Sequence, residues 1–169
     1  AHLYDKTYDA DRADMLQRAK ESGVTLILIP NVDIDTIAPM IQLERESEGY
    51  CKPMIGIHPC SIDSDYKSQL NVAMKWLEKH PFFGIGEIGL DFFWDKTFKK
   101  EQEDAFLEQC KWAKAMDLPV SIHSRNATDE AIFLLERANL GIDGVFHCFS
   151  GSVEQAKRIR DLGLSMGIG

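Results

Sequence analysis

Short apolar runs alternate with amphipathic stretches along this chain. Val24-Thr25-Leu26-Ile27-Leu28-Ile29 is rich in β-branched residues and apolar apart from Thr25, as suits a strand covered on both faces. Similar runs are Met54 to Ile57, Phe82 to Gly86, Val120 to Ile122, Gly144 to Phe146 and Leu164 to Ile168. Ala1 to Leu3 reads as the tail of one more strand. Between the runs the spacing becomes helical: Leu70, Ala73, Met74 and Leu77 fall at i, i+3, i+4, i+7, and Ala131, Leu134, Leu135 and Ala138 repeat it. Phe106, Cys110 and Ala113 form a third stripe, on a segment from about Lys99 to Met116. Ser152-Val153-Glu154-Gln155 predicts a capping box at a helix start. Gly23, Gly49, Gly141 and Gly163 each follow a helical segment, where a left-handed residue is favoured.

Strict strand-helix alternation predicts a parallel sheet with right-handed crossovers. Counting the initial stub, about seven strands and six helices fit. A complete eight-fold barrel typically needs about 250 residues, and this chain has 169. The expected fold is α/β, a (β/α)8 TIM-barrel type that is incomplete as given, in one domain over residues 1–169. An open doubly wound sheet is the alternative. An unclosed barrel leaves strand edges unpaired, so these 169 residues alone are expected to be weakly stable or to self-associate.

A hydrophobic fraction of 44% and a charged fraction of 27% place the chain among ordinary globular domains. No apolar stretch approaches the ~20 residues that span a bilayer. Ala1-His2-Leu3-Tyr4-Asp5 lacks the basic start and apolar run of a secretory signal. The expected setting is soluble and cytoplasmic, without a membrane partner. Cys51, Cys60, Cys110 and Cys148 lack C-x-x-C spacing and read as reduced thiols, with Cys60 or Cys148 as a less favoured thiolate ligand beside His58 or His147. The net charge of −8 argues against broad non-specific nucleic-acid binding, which needs basic surface. It leaves room for a small cationic mouth around a phosphate.

The polar residues that close the apolar runs carry the chemistry. Glu87 follows Phe82-Phe83-Gly84-Ile85-Gly86, His123 follows Val120-Ser121-Ile122, His147 follows Gly144-Val145-Phe146, and His58 follows Met54-Ile55-Gly56-Ile57. In alternating β/α folds, sites are assembled where the strands end. A carboxylate can bridge two cations, and imidazoles suit Zn²⁺ or Mn²⁺, so Glu87, His123 and His147 read as ligands of a hydrolytic metal centre. The plain alternative for Glu87 is a surface loop carboxylate, and a lone histidine at a strand end is more often a hydrogen-bonded core residue. His2 is a weaker candidate ligand. His58 reads as a hydrogen-bonding partner for substrate or water rather than a ligand. Arg125 and Lys96, in loops above strand ends, are candidates for phosphate contact, with solvated charge as the plain alternative. Phe92, Phe93 and Trp94 are candidates for base stacking, with packing as the plainer role. His80, before Pro81, reads as structural.

Gly56-Ile57-His58-Pro59, Gly86-Glu87-Ile88-Gly89-Leu90-Asp91, Ile122-His123-Ser124-Arg125 and His147-Cys148-Phe149-Ser150-Gly151, in this order and spacing, resemble the TatD family of metal-dependent deoxyribonucleases, which are amidohydrolase-type TIM barrels. The resemblance runs over essentially the whole chain. It implies a hydrolase that cleaves DNA phosphodiesters, commonly as a 3′-to-5′ exonuclease, with metal-activated water. It implies two divalent ions (Zn, Mg or Mn), with Glu87 as bridge and catalytic centre, His123 and His147 on the second ion, and His2 as the second member of a first-strand His-x-His pair. The first histidine of that pair would precede Ala1, and a late family Asp would lie beyond Gly169. Where many members have His-Pro-His, this chain has His58-Pro59-Cys60. Two other functions remain open: an amidohydrolase or esterase acting on a small molecule, and an inactive fragment lacking part of the first metal site.

Overall fold

The computed structural model describes all residues from Ala1 to Gly169. Six strands form one parallel sheet: β1 (Ile27–Pro30), β2 (Cys51–Ile55), β3 (Gly84–Asp91), β4 (Val120–Arg125), β5 (Gly144–Phe146) and β6 (Ser165–Met166). Six helices alternate with them: α1 (Arg12–Glu21), α2 (Ile37–Glu46), α3 (Tyr66–Leu77), α4 (Lys99–Met116), α5 (Thr128–Ala138) and α6 (Val153–Asp161). The strand order follows the chain order from β1 to β6. A doubly wound sheet reverses order at a switch point, so this monotonic progression belongs to the barrel type. Successive helices pack on one another, α3 on α4, α4 on α5 and α5 on α6.

The helices form where their stripes find the sheet. Leu70, Ala73 and Leu77 of α3, Phe106, Cys110 and Ala113 of α4, and Ala131 and Leu135 of α5 are buried as their spacing predicts. Ser152 and Gln155 make the reciprocal bonds of a capping box at the start of α6. Gly23 and Gly163 follow α1 and α6 with φ of +82°, the left-handed conformation that ends a helix.

The strands differ from expectation in several places, with β2 starting at Cys51 rather than Met54 and β6 confined to Ser165–Met166. Ala1 to Leu3 is not a strand, so the sheet has six strands rather than about seven. Its only ladder-like bond runs from the Ala1 amino group to the Leu28 carbonyl, 2.9 Å. β1 starts at Ile27 because Val24 N–H turns back to the Ala19 carbonyl at the end of α1. β3 and β4 run on to Asp91 and Arg125, which puts Glu87 inside β3 and His123 inside β4. All eight residues of β3 are buried. Its pairing with β4 slips between Ile85 and Ile88. There, Asn31 closes the open backbone groups: its N–H reaches the Gly86 carbonyl at 2.9 Å, and its carbonyl accepts from Glu87 N–H at 3.1 Å. The irregular segment that carries Glu87 is thus fixed by a residue just past β1.

Candidate metal centre

Glu87 is 4% exposed and stands between three imidazoles. Its Oε1 lies 3.1 Å from His123 Nδ1 and 3.9 Å from His58 Nε2, while its Oε2 lies 3.2 Å from His2 Nε2. The His58 and His123 rings meet edge to face with centroids 4.5 Å apart. One ligand atom each from His58, Glu87 and His123 falls within a 4.8 Å group, close enough to share a cation.

The outer nitrogens decide what the inner ones offer. His123 Nε2 faces Asp91 Oδ2 at 2.8 Å, and Asp91 is held ionised, so this nitrogen donates. Its Nδ1 then presents a lone pair to Glu87. His2 Nδ1 faces the Pro30 carbonyl at 3.1 Å, and a carbonyl only accepts. Its Nε2 likewise presents a lone pair to Glu87. Tyr4 hydroxyl, 2.9 Å from the same Nδ1, donates to Pro30 carbonyl. Two lone pairs therefore point at the two oxygens of one buried carboxylate. Each such acceptor pair requires a positive charge between its members, a proton or a metal ion.

His58 is oriented the opposite way. Its Nδ1 accepts from Cys60 N–H at 3.1 Å, so the neutral ring carries its proton on Nε2, toward Glu87. This tautomer makes His58 a donor into the site rather than a ligand, despite its position in the 4.8 Å group.

The electrostatics follow this arrangement. Burial alone would raise the Glu87 carboxyl, but in the metal-free site a proton fills the gap to each facing nitrogen, and these hydrogen bonds with His123 and His2, together with the imidazole charges, hold it well below the usual carboxylate range. Burial would also lower His123, yet its contacts with Glu87 and Asp91 outweigh that and raise it. For His58, burial and the adjacent His123 dominate, and its pKa falls to about 4. Cys60 is pushed up to about 11 by burial and by Asp91, so its thiol stays protonated at neutral pH.

The remaining candidates separate. His147 is exposed, with its N–H on the Ile122 carbonyl and its Nε2 3.4 Å from Cys148 Sγ. It lines, with His2 and Glu87, a cavity of about 370 Å³ inside the sheet, but it is not in the 4.8 Å group. Lys96 is exposed and its side chain makes no polar contact with the site. Arg125, at the end of β4, lies over the rings of Phe93 and Trp94. Phe92 is buried, which removes it from any stacking role. His80 pairs with Glu44 at 2.8 Å, away from the site.

Two residues of the site were not picked out from the sequence. Asp91, 2% exposed, is the acceptor for His123. A signal existed, because Asp91 stands four places after Glu87 and even offsets share a strand face. Asn31 carried no signal, since its partners lie on β2 and β3.

The whole chain, residues 1–169, matches the family model described as TatD related DNase. It is 33% identical over 172 residues to the uncharacterized metal-dependent hydrolase YabD of Bacillus subtilis (strain 168), covering 100% of this chain and 66% of YabD. It is 36% identical over 167 residues to the uncharacterized metal-dependent hydrolase YjjV of Escherichia coli (strain K12), covering 96% of this chain and 63% of YjjV. The crystal structure of YjjV superposes with a TM-score of 0.89, over 98% of this chain and 64% of YjjV. The 3′-5′ ssDNA/RNA exonuclease TatD of Pantoea ananatis is 31% identical over 168 residues, which cover 99% of this chain and 65% of the relative. The chain thus spans less than two thirds of the length of each of these relatives.

Proposed function

The chain belongs to the TatD related DNase family, and on that premise we propose that it forms the ligand-bearing part of a metal-dependent hydrolase that cuts phosphodiester bonds in nucleic acid. The observation that carries this reading is the pair of imidazole nitrogens, His2 Nε2 and His123 Nδ1, that face the two oxygens of buried Glu87. Glu87, with His2 facing its Oε2 and His123 facing its Oε1, would hold the divalent cations. His147, which opens on the same cavity as His2 and Glu87, is the further imidazole for the second ion. Bound cations supply Lewis-acid polarisation of the phosphate and a nucleophile at neutral pH.

The chain's own residues prepare that chemistry. Asp91 and the Pro30 carbonyl hold the outer nitrogens of His123 and His2, so both rings present a fixed lone pair. Cys60 N–H fixes the His58 tautomer, and His58 Nε2–H is the donor to a phosphate oxygen or water beside Glu87. Exonuclease action from the 3′ end is the activity in the name of the Pantoea ananatis relative, and we extend it to this chain as part of the proposal. The test is hydrolysis of a single-stranded oligonucleotide by the full-length protein with Mg²⁺, Mn²⁺ or Zn²⁺. Chelation and Glu87→Gln are each expected to abolish cleavage. Cleavage that survives both would remove the metal mechanism, and selective cleavage of lactones or cyclic amides would move the chemistry to small molecules.

A further inference from the structure

At the mouth of the site, two aromatic rings and an arginine are arranged with no structural partner to satisfy. Arg125 Cζ lies 3.9 Å from the Phe93 ring centroid and 5.2 Å from that of Trp94, and the two rings meet edge to face at 4.8 Å. Trp94 is 71% exposed and Phe93 48% exposed, so most of the indole faces solvent. Arg125 makes no ion pair. The nearby carboxylates are already engaged elsewhere, Asp129 with Arg158 at 3.2 Å and Glu130 with Lys99 at 3.7 Å. In a chain of net charge −8, a cation held in place and left unneutralised stands out.

The shelf is rooted in the metal centre. Asp91 stands opposite Arg125 in the β3–β4 register, and its Oδ1 accepts from Phe93 N–H at 3.0 Å. Its Oδ2 is the atom that holds His123. One buried carboxylate therefore orients both the His123 ring and the start of the aromatic loop. Beside Arg125 and Phe93 lies a polar cavity of about 520 Å³, with Ser124, Thr128 and Gln155 on its walls.

We infer that Phe93, Trp94 and Arg125 form a nucleotide-binding shelf, on which Trp94 stacks an unpaired base and Arg125 holds an adjacent phosphate. This rests on the phosphodiesterase reading above and assigns the residues that select single strands. A base within a duplex has no free face to offer the indole, whereas an unpaired base does. A guanidinium pinned over aromatic faces loses little freedom on binding phosphate.

The experiment measures binding by fluorescence anisotropy in the full-length protein carrying Glu87→Gln, so that no strand is cut. The probes are a labelled single-stranded oligonucleotide and the same strand made abasic at its last few 3′ positions. Trp94→Ala is expected to weaken the base-bearing strand roughly ten-fold or more and the abasic strand far less. Trp94→Phe recovers most of the loss, and Arg125→Gln weakens both strands alike. Equal effects of Trp94→Ala on the two probes, or no effect of either substitution, would overturn the shelf. Both positions are exposed, and an unchanged melting temperature shows that the variants fold. Failure of the phosphodiesterase reading is seen separately, as absence of cleavage by the unsubstituted protein, and leaves the binding comparison decisive.

Discussion

Gly89 stands directly opposite His123 in the β3–β4 ladder, and a side chain there would overlap the His123 carbonyl oxygen. Gly89 also has φ of +140°, which L residues rarely adopt. The close approach of the two strands at this point sets the depth of the His123 ring relative to Glu87 and Asp91. Gly89→Ala is therefore expected to destabilise the protein by about 3 kcal/mol or more, from backbone strain plus overpacking. Denaturant unfolding measures it, and metal affinity should fall in parallel. A stability within about 0.5 kcal/mol of the parent would show that the ladder relaxes there without cost.

Asp91 acts through His123. Asp91→Ala removes the acceptor that orients the ring, and metal affinity is expected to fall roughly 10- to 100-fold, the usual cost of losing such support. Asp91→Asn retains an acceptor oxygen and should lose less. Calorimetric titration with Mn²⁺ or Zn²⁺ reads both. Equal affinity in all three proteins would mean that His123 is held by packing alone.

His58 gives a pH signature in the metal-free protein. Its folded pKa of about 4 lies below the ordinary imidazole value of 6.5. For a histidine lowered in this way, the unfolded chain binds the proton first as pH falls. Its contribution to stability is thus fully present above about 6.5 and is lost as pH falls toward 4. Histidine ring NMR should show one of the five imidazoles titrating near pH 4 and His123 titrating above the ordinary value. A His58 resonance titrating at or above 6.5 would contradict the dominance of burial and of the adjacent His123 at this ring.

β1 and β6 are the two ends of the sheet, and each has one edge without a strand partner. A polypeptide of residues 1–169 is expected to associate with rising concentration through these edges. Light scattering coupled to size exclusion measures this. A monomer that melts cooperatively at every concentration would show the edges to be adequately protected.

The apolar runs made the sheet legible because parallel strands buried on both faces leave an unbroken hydrophobic signature, and the 3.6-residue stripes placed the helices. Both signals are local. The placement of Glu87 within β3, rather than at its end, depends on Asn31 crossing to Gly86 and Glu87 from a distant part of the sequence. His2, His123 and Glu87 each sit beside an apolar run, and the structure brings their side chains together. Their protonation was not legible, since it is set by the Pro30 carbonyl and by Asp91. His58 and His147 show the same limit from two sides. Both follow strands, but the first is turned by its bond from Cys60 to face Glu87, and the second is followed at once by Cys148 with φ of +48° and remains exposed.

In the proposed site, Glu87, His2 and His123 would together hold divalent cations. Anomalous scattering from crystals of the full-length protein soaked in Mn²⁺ tests it most directly. Anomalous peaks within ligand distance of the Glu87 carboxylate, His123 and His2 are expected. Ions bound elsewhere at saturating Mn²⁺, with the Glu87 carboxylate uncoordinated, would contradict it.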